Sequence, residues 1–141
     1  MVNAESLDNA LIALIEKKNE LNALHYADDS YDDLEEALHD LEDSFIEKYG
    51  KYLEKALQKV HDEYCSDTDV LLPIAYIAKR YEKVGTHSDG KPIYEVDPKE
   101  GVWVEADKYP GKEARLVLVP CPARIILAIG KNKHEVWKAD K

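Results

Sequence analysis

The sequence predicts an α+β fold: an N-terminal antiparallel helical hairpin, coiled-coil-like, followed by a small antiparallel β-sheet or barrel of about five to six strands. Leucines recur at helical spacing through the first half of the 141-residue chain, and short β-branched and aromatic runs fill the second half. The links between those runs are too short for crossover helices. We therefore expect an acidic hairpin at residues 1–66 and a β domain at residues 70–141.

A heptad pattern near the N-terminus predicts the first helix. Leu7, Leu14 and Leu21 are seven residues apart, and no Gly or Pro interrupts the pattern. Asn3 or Ser6 is the candidate N-cap, because both side chains can accept hydrogen bonds from the amides of a helix start.

A second apolar series predicts a longer helix after a break at the short polar residues 27–30. Its members recur at steps of three and four: Leu34, Leu38, Leu41, Phe45, Tyr49, Tyr52, Ala56, Val60 and Tyr64. Ser30, with Asp33 three residues later, resembles a capping box and predicts the start of this helix. Gly50 lies inside the series and predicts a kink or a split there.

The second helix is predicted to extend beyond its partner. A short connection makes the two helices antiparallel neighbours, which places the start of helix 1 near Tyr52. The apolar stripe of helix 2 nevertheless continues through Leu53, Leu57, Val60 and Tyr64. This stripe must be covered by the C-terminal half, by a second copy of the hairpin or by another protein. We favour the second copy, and so expect a homodimer.

The β half is divided by turn residues into short runs. Residues 71–84 fit both a helix and a strand, and we favour a strand because they lead into a loop with an Asp-Gly turn signal. Further strands are predicted at the following ranges: 93–96, 102–105, 115–119, 124–129 and 134–137. We expect this sheet to pack on the second half of helix 2.

The net charge of −10 is unevenly distributed. Residues 1–69 hold 19 acidic and 6 basic residues, and residues 70–141 hold 10 and 13. This balance argues against direct binding to nucleic acid or to a membrane surface, and it favours a basic protein partner. With no secretory signal and only Cys65 and Cys121, we expect a cytoplasmic protein with reduced thiols.

Four aspartates crowd the predicted tip of the hairpin: Asp28, Asp29, Asp32 and Asp33. The simpler interpretation is a solvated helix start, which carboxylates stabilise electrostatically. A long antiparallel hairpin with tip carboxylates and a small β domain also resembles the bacterial factors that insert a coiled coil into the RNA polymerase secondary channel. That resemblance implies tip carboxylates that hold a magnesium ion beside the catalytic one.

The sequence offers no complete catalytic, metal or cofactor site. His61 and Cys65 lie one helical turn apart, but two ligands do not make a metal site. His87, Ser88 and Asp89 are adjacent in a predicted turn, whereas members of a catalytic triad come from distant positions. We therefore expect no catalytic residue, no metal and no cofactor, and the sequence favours a protein that is not an enzyme.

Three functional hypotheses follow. The first is a non-enzymatic interaction and oligomerisation module, whose hairpin self-associates and whose β domain or acidic tip docks a partner. The second is a transcription factor of the RNA polymerase secondary-channel type, which uses the tip carboxylates. The third is a small ligand-binding or enzymatic β domain, which requires a concave apolar pocket with convergent polar groups.

Overall fold

Two helices precede six strands in the structure, a computed structural model that describes residues 3–24, 29–97, 99–120 and 123–139. Helix α1 spans Ala4–Asn22 and helix α2 spans Tyr31–Tyr64. The strands are β1 (Glu82–Thr86), β2 (Pro92–Glu95), β3 (Val102–Val104), β4 (Ala114–Val119), β5 (Arg124–Ile129) and β6 (Asn132–Lys138). The predicted α+β class is confirmed.

The two helices begin differently. The Asn3 side chain accepts hydrogen bonds from the amides of Glu5 and Ser6 at 2.9 and 3.1 Å, which satisfies two amides that a helix start leaves unpaired. The capping box predicted at Ser30 is wrong, because its side chain makes no capping hydrogen bond. Ser30 has φ −87° and ψ −4°, a helical backbone conformation, whereas a capping residue is typically extended.

Helix α2 is continuous over 34 residues. The split predicted at Gly50 is wrong, although a glycine costs a helix about 1 kcal/mol relative to alanine. The buried side chains of Phe45 and Leu53 hold the segments on both sides of Gly50 in the same core, and this packing offsets the cost. No helix within the described ranges is both long and apolar enough to cross a membrane.

The strands form two antiparallel sheets. Strands β3, β4, β5 and β6 make a four-stranded meander in chain order, and β1 pairs with β2 in a two-stranded ribbon. The meander is open, because β3 and β6 are its edges, so the structure is a sheet and not a closed barrel. Cross-strand pairs such as Leu116–Leu127 and Leu118–Ile125 are buried, and they make one face of the meander part of the core.

Residues 71–84 do not form the single strand that we favoured. Pro73–Tyr76 form a 3-10 helix, and only Glu82–Thr86 is strand. Pro73 fixes a helical φ at the first position and cannot donate to a sheet ladder, which explains the turn. The turn also places the ring of Tyr76 completely inside the core.

Candidate functional site

The described part of the acidic tip is an exposed helix start. Asp29, Asp32 and Asp33 are exposed, and Asp28 lies outside the described residues. Asp32 and Asp33 occupy the first turn of α2, where carboxylates stabilise the helix dipole. Among the residues that the structure describes, no three metal-ligating side chains cluster. The role predicted for the tip stays a prediction.

The apolar stripe on helix α2 is covered by the chain itself. Leu53, Leu57 and Val60 are at most 2% exposed in the single chain, and they belong to one core cluster with buried strand residues. Tyr64 is half-buried, and its carbonyl accepts a hydrogen bond from the Asp107 amide at 2.8 Å. The C-terminal half therefore covers the stripe, which does not by itself require a second copy.

A buried histidine joins the end of α2 to the segment that follows it. His61 is 1% exposed, its Nδ1 lies 2.8 Å from the Thr68 carbonyl oxygen, and its Nε2 lies 2.8 Å from the Tyr76 hydroxyl. Because a carbonyl only accepts, Nδ1 carries the proton and Nε2 accepts from Tyr76. The Tyr76 hydroxyl in turn accepts from the Leu71 amide at 3.0 Å. These bonds use both nitrogens of His61 and leave neither free for a metal ion.

The loop formed by residues 66–72 is held by hydrogen bonds along its length. The Thr68 amide donates to the Cys65 carbonyl at 3.1 Å, and the Thr68 hydroxyl accepts from the Glu105 amide at 3.0 Å. The Asp107 carboxylate accepts from the amide and the hydroxyl of Ser66 at 3.1 and 2.9 Å. The loop is thereby fixed beside the end of β3.

This pinned loop presents two large apolar side chains to solvent. Leu71 is 47% exposed and Leu72 is 60% exposed, although Pro73, the next residue, is buried. The Leu72 carbonyl accepts from the Ala75 amide at 2.9 Å, which fixes this end of the loop. Trp103, on strand β3, is 52% exposed. We refer to residues 66–72 and 103–107 together as the 66–72 surface.

The 66–72 surface is strongly acidic. It holds four carboxylates, Asp67, Asp69, Glu105 and Asp107, with Asp62 and Glu63 shortly before it on α2, and residues 60–78 and 101–107 contain no Lys or Arg. In the part of the chain that the structure describes, none of these carboxylates forms an ion pair. Burial, with a smaller contribution from the charge of Asp107, raises the pKa of the Cys65 thiol to about 11.

A separate open cavity of about 640 Å³ lies between the end of α1 and the β1–β2 ribbon. Charged side chains dominate its lining: Lys79, Arg80, Lys133, Glu82, Glu95, Asp97 and Glu100. Among the residues that the structure describes, Val96 is the one apolar residue in this lining. This is not the apolar pocket with a few convergent polar groups that the ligand-binding hypothesis requires.

The sequence pattern did not single out the 66–72 surface. Residues 71–84 were interpreted as a strand, in which Leu71 would have been an ordinary alternating position. The available signal was a leucine pair directly before Pro73, in a segment with carboxylates and no basic residue. Of the residues that the sequence did single out, Tyr64 borders this surface through its hydrogen bond with the Asp107 amide, and the described tip aspartates lie at the start of α2.

Comparison of this chain with protein-family models, curated proteins and solved structures finds no match. The chemistry of its own residues therefore has to carry any functional proposal.

Proposed function

We propose that this protein is a non-enzymatic interaction module that binds another protein through the 66–72 surface. The observation that carries the proposal is the exposure of Leu71 and Leu72 on a loop whose backbone is pinned on both sides. Exposed apolar side chains are common singly, whereas adjacent ones form a contiguous patch of the kind that marks interaction sites.

Rigidity matters because binding has to overcome the entropy lost when flexible groups become ordered. The Leu71 amide, the Leu72 carbonyl and three groups of Thr68 are already hydrogen-bonded in the free chain. A partner that docks on this loop therefore meets side chains whose backbone is already in place. A mobile loop with the same leucines would bind more weakly.

The proposal also includes a cytoplasmic location and self-association. The buried free thiol of Cys65 is in keeping with a reducing compartment. Because Leu53, Leu57 and Val60 are buried by the chain itself, a homodimer would have to use an exposed face of the chain.

The test compares one leucine with a matched residue elsewhere. Tagged full-length protein, Leu72→Ser and Val84→Ser are expressed in the native cells, cross-linked and purified for mass spectrometry. Val84 is 50% exposed on strand β1, so its replacement controls for general loss of exposed apolar surface. We expect Leu72→Ser to lose a partner that the wild type and Val84→Ser retain. The same partners on all three proteins would refute the proposal.

A further inference from the structure

We infer that the partner of the 66–72 surface is a basic protein segment, in which apolar side chains contact Leu71 and Leu72 and flanking Lys or Arg residues face the surrounding carboxylates. This inference rests on the proposed function and adds the chemistry of the occupant. It is carried by two independent features of one surface, the exposed apolar anchors and the unpaired charge around them.

The carboxylates of the 66–72 surface predict that its partner is positively charged. Asp67 and Asp69 lie on the loop itself, and the Thr68 hydroxyl brings the Glu105 backbone against it at 3.0 Å. Asp107 is held against Ser66 by two hydrogen bonds, at 3.1 and 2.9 Å. With no Lys or Arg in residues 60–78 or 101–107, these carboxylates attract a positively charged partner.

The exposed leucines predict that the partner also carries apolar side chains. Leu71 and Leu72 supply desolvation energy that a simple polycation cannot use, so the partner needs apolar side chains of its own. Trp103, 52% exposed on the adjacent strand, adds an aromatic ring to this surface, and Arg115 of strand β4 lies directly opposite it. A nucleic acid or an anionic membrane is disfavoured, since both carry the same sign of charge as the surface.

The experiment selects random-sequence peptides, displayed on phage, against the immobilised full-length protein. Affinities of the enriched peptides are then measured by fluorescence anisotropy for four proteins. These are the wild type, Leu71→Ser/Leu72→Ser, Asp67→Asn/Asp69→Asn/Glu105→Gln at the surface, and Asp32→Asn/Asp33→Asn/Glu36→Gln at the hairpin tip. The last two variants remove the same number of exposed carboxylates, chosen because their side chains do not take part in the hydrogen bonds that pin the loop.

We expect enriched peptides to combine apolar residues with several Lys or Arg residues. Removing the leucines should weaken binding roughly thirtyfold, as for loss of an interface hot spot. Removing the surface carboxylates should weaken it about tenfold at low salt and less at high salt. The tip variant should bind like the wild type.

Each alternative outcome overturns a specific statement. Enriched peptides that need the leucines but carry no basic residues refute the basic partner and leave the proposed function standing. Basic peptides that bind equally well without the leucines refute both. Loss of binding in the tip variant alone moves the site to the tip of the hairpin, and also refutes both.

Discussion

Two acidic regions of this molecule differ in what surrounds their charge. At the hairpin tip, Asp32 and Asp33 are exposed in the first turn of α2, where the helix dipole explains their presence. At the 66–72 surface, Asp67 and Asp69 lie on a loop pinned by a buried histidine, and Leu71 and Leu72 are exposed at its end. Acidic charge alone is therefore a poor guide to a binding site, and charge beside rigidly held apolar groups is a better one.

The largest expected effect is the loss of stability in Tyr76→Phe, which tests whether the 66–72 loop is rigidly held. The change removes the hydroxyl that bonds both His61 and the Leu71 amide, and so leaves two groups without partners. Each lost partner costs about 1–3 kcal/mol, so we expect urea unfolding to show a loss of about 3 kcal/mol. Hydrogen exchange at the Leu71 amide should also accelerate.

Tyr109→Phe is the control for this change. Tyr109 is 40% exposed and stacks on His134, so its replacement should leave the unfolding free energy nearly unchanged. Equal stability of the two variants would show that the Tyr76 hydroxyl does not hold the loop.

A second expected effect is a loss of stability at alkaline pH that depends on Cys65. Burial, with the charge of Asp107, raises its pKa from the ordinary 9.0 to about 11 in the folded chain. A raised pKa means stability that is fully present below pH 9 and is lost as the pH rises towards 11. This difference of about two pH units between the pKa values corresponds to about 2–3 kcal/mol in the free energy of unfolding.

This effect is measured as the difference between the wild type and Cys65→Ala in denaturant unfolding across that range. Lys18 changes stability with pH in the opposite direction, because burial lowers its pKa. Its contribution cancels in the difference, since both proteins contain Lys18. A constant difference between the two curves would contradict the prediction.

A smaller effect is expected for Thr68→Val. The change keeps the shape of the side chain and removes the hydroxyl that accepts a hydrogen bond from the Glu105 amide. We therefore expect the free energy of unfolding to fall by about 1 kcal/mol. The loop should also move relative to β3, which the fluorescence of Trp103 reports. Thr86→Val, at an exposed position of β1, is the matched control, and an identical response from the two variants would contradict the proposed contact.

The smallest effect is expected at the tip. Asp32→Asn/Asp33→Asn removes charges that favour the start of α2, for a loss of about 0.5 kcal/mol that salt abolishes. Exchange at the Leu71 amide should not change. Asp40→Asn/Asp43→Asn, in the middle of α2, should have no effect on stability. A tip variant that unfolds the loop would mean that the two acidic regions are coupled.

The sequence predicted local elements better than their connections. Helical spacing identified α1 and α2, and turn residues separated the strands of the meander, because both signals lie within a few neighbouring residues. The N-cap at Asn3, one of two candidates, could be predicted for the same reason. The 3-10 helix at Pro73–Tyr76 was missed, since the apolar residues around it fit two periodicities.

The candidate site could not be predicted, because its contacts join distant positions. His61 and Tyr76 are 15 residues apart, and Thr68 and Glu105 are 37 apart. No local pattern records such pairings, which depend on how the ends of α2 and β3 meet. Once those pairs are known, the exposed leucines become conspicuous; before that, they resemble any residues of a strand.

The polar contacts of helix α1 have a consequence for the order in which the chain folds during synthesis. The Asn19 side chain donates to the Tyr81 carbonyl at 3.2 Å, across 62 residues, and Lys91 reaches the buried Asp8 carboxylate at 3.2 Å, across 83. During synthesis the two helices leave the ribosome before the ribbon, so α1 gains these partners only after the ribbon has followed. The packing of α1 is therefore completed late, and a chaperone would meet this helix before its final neighbours exist.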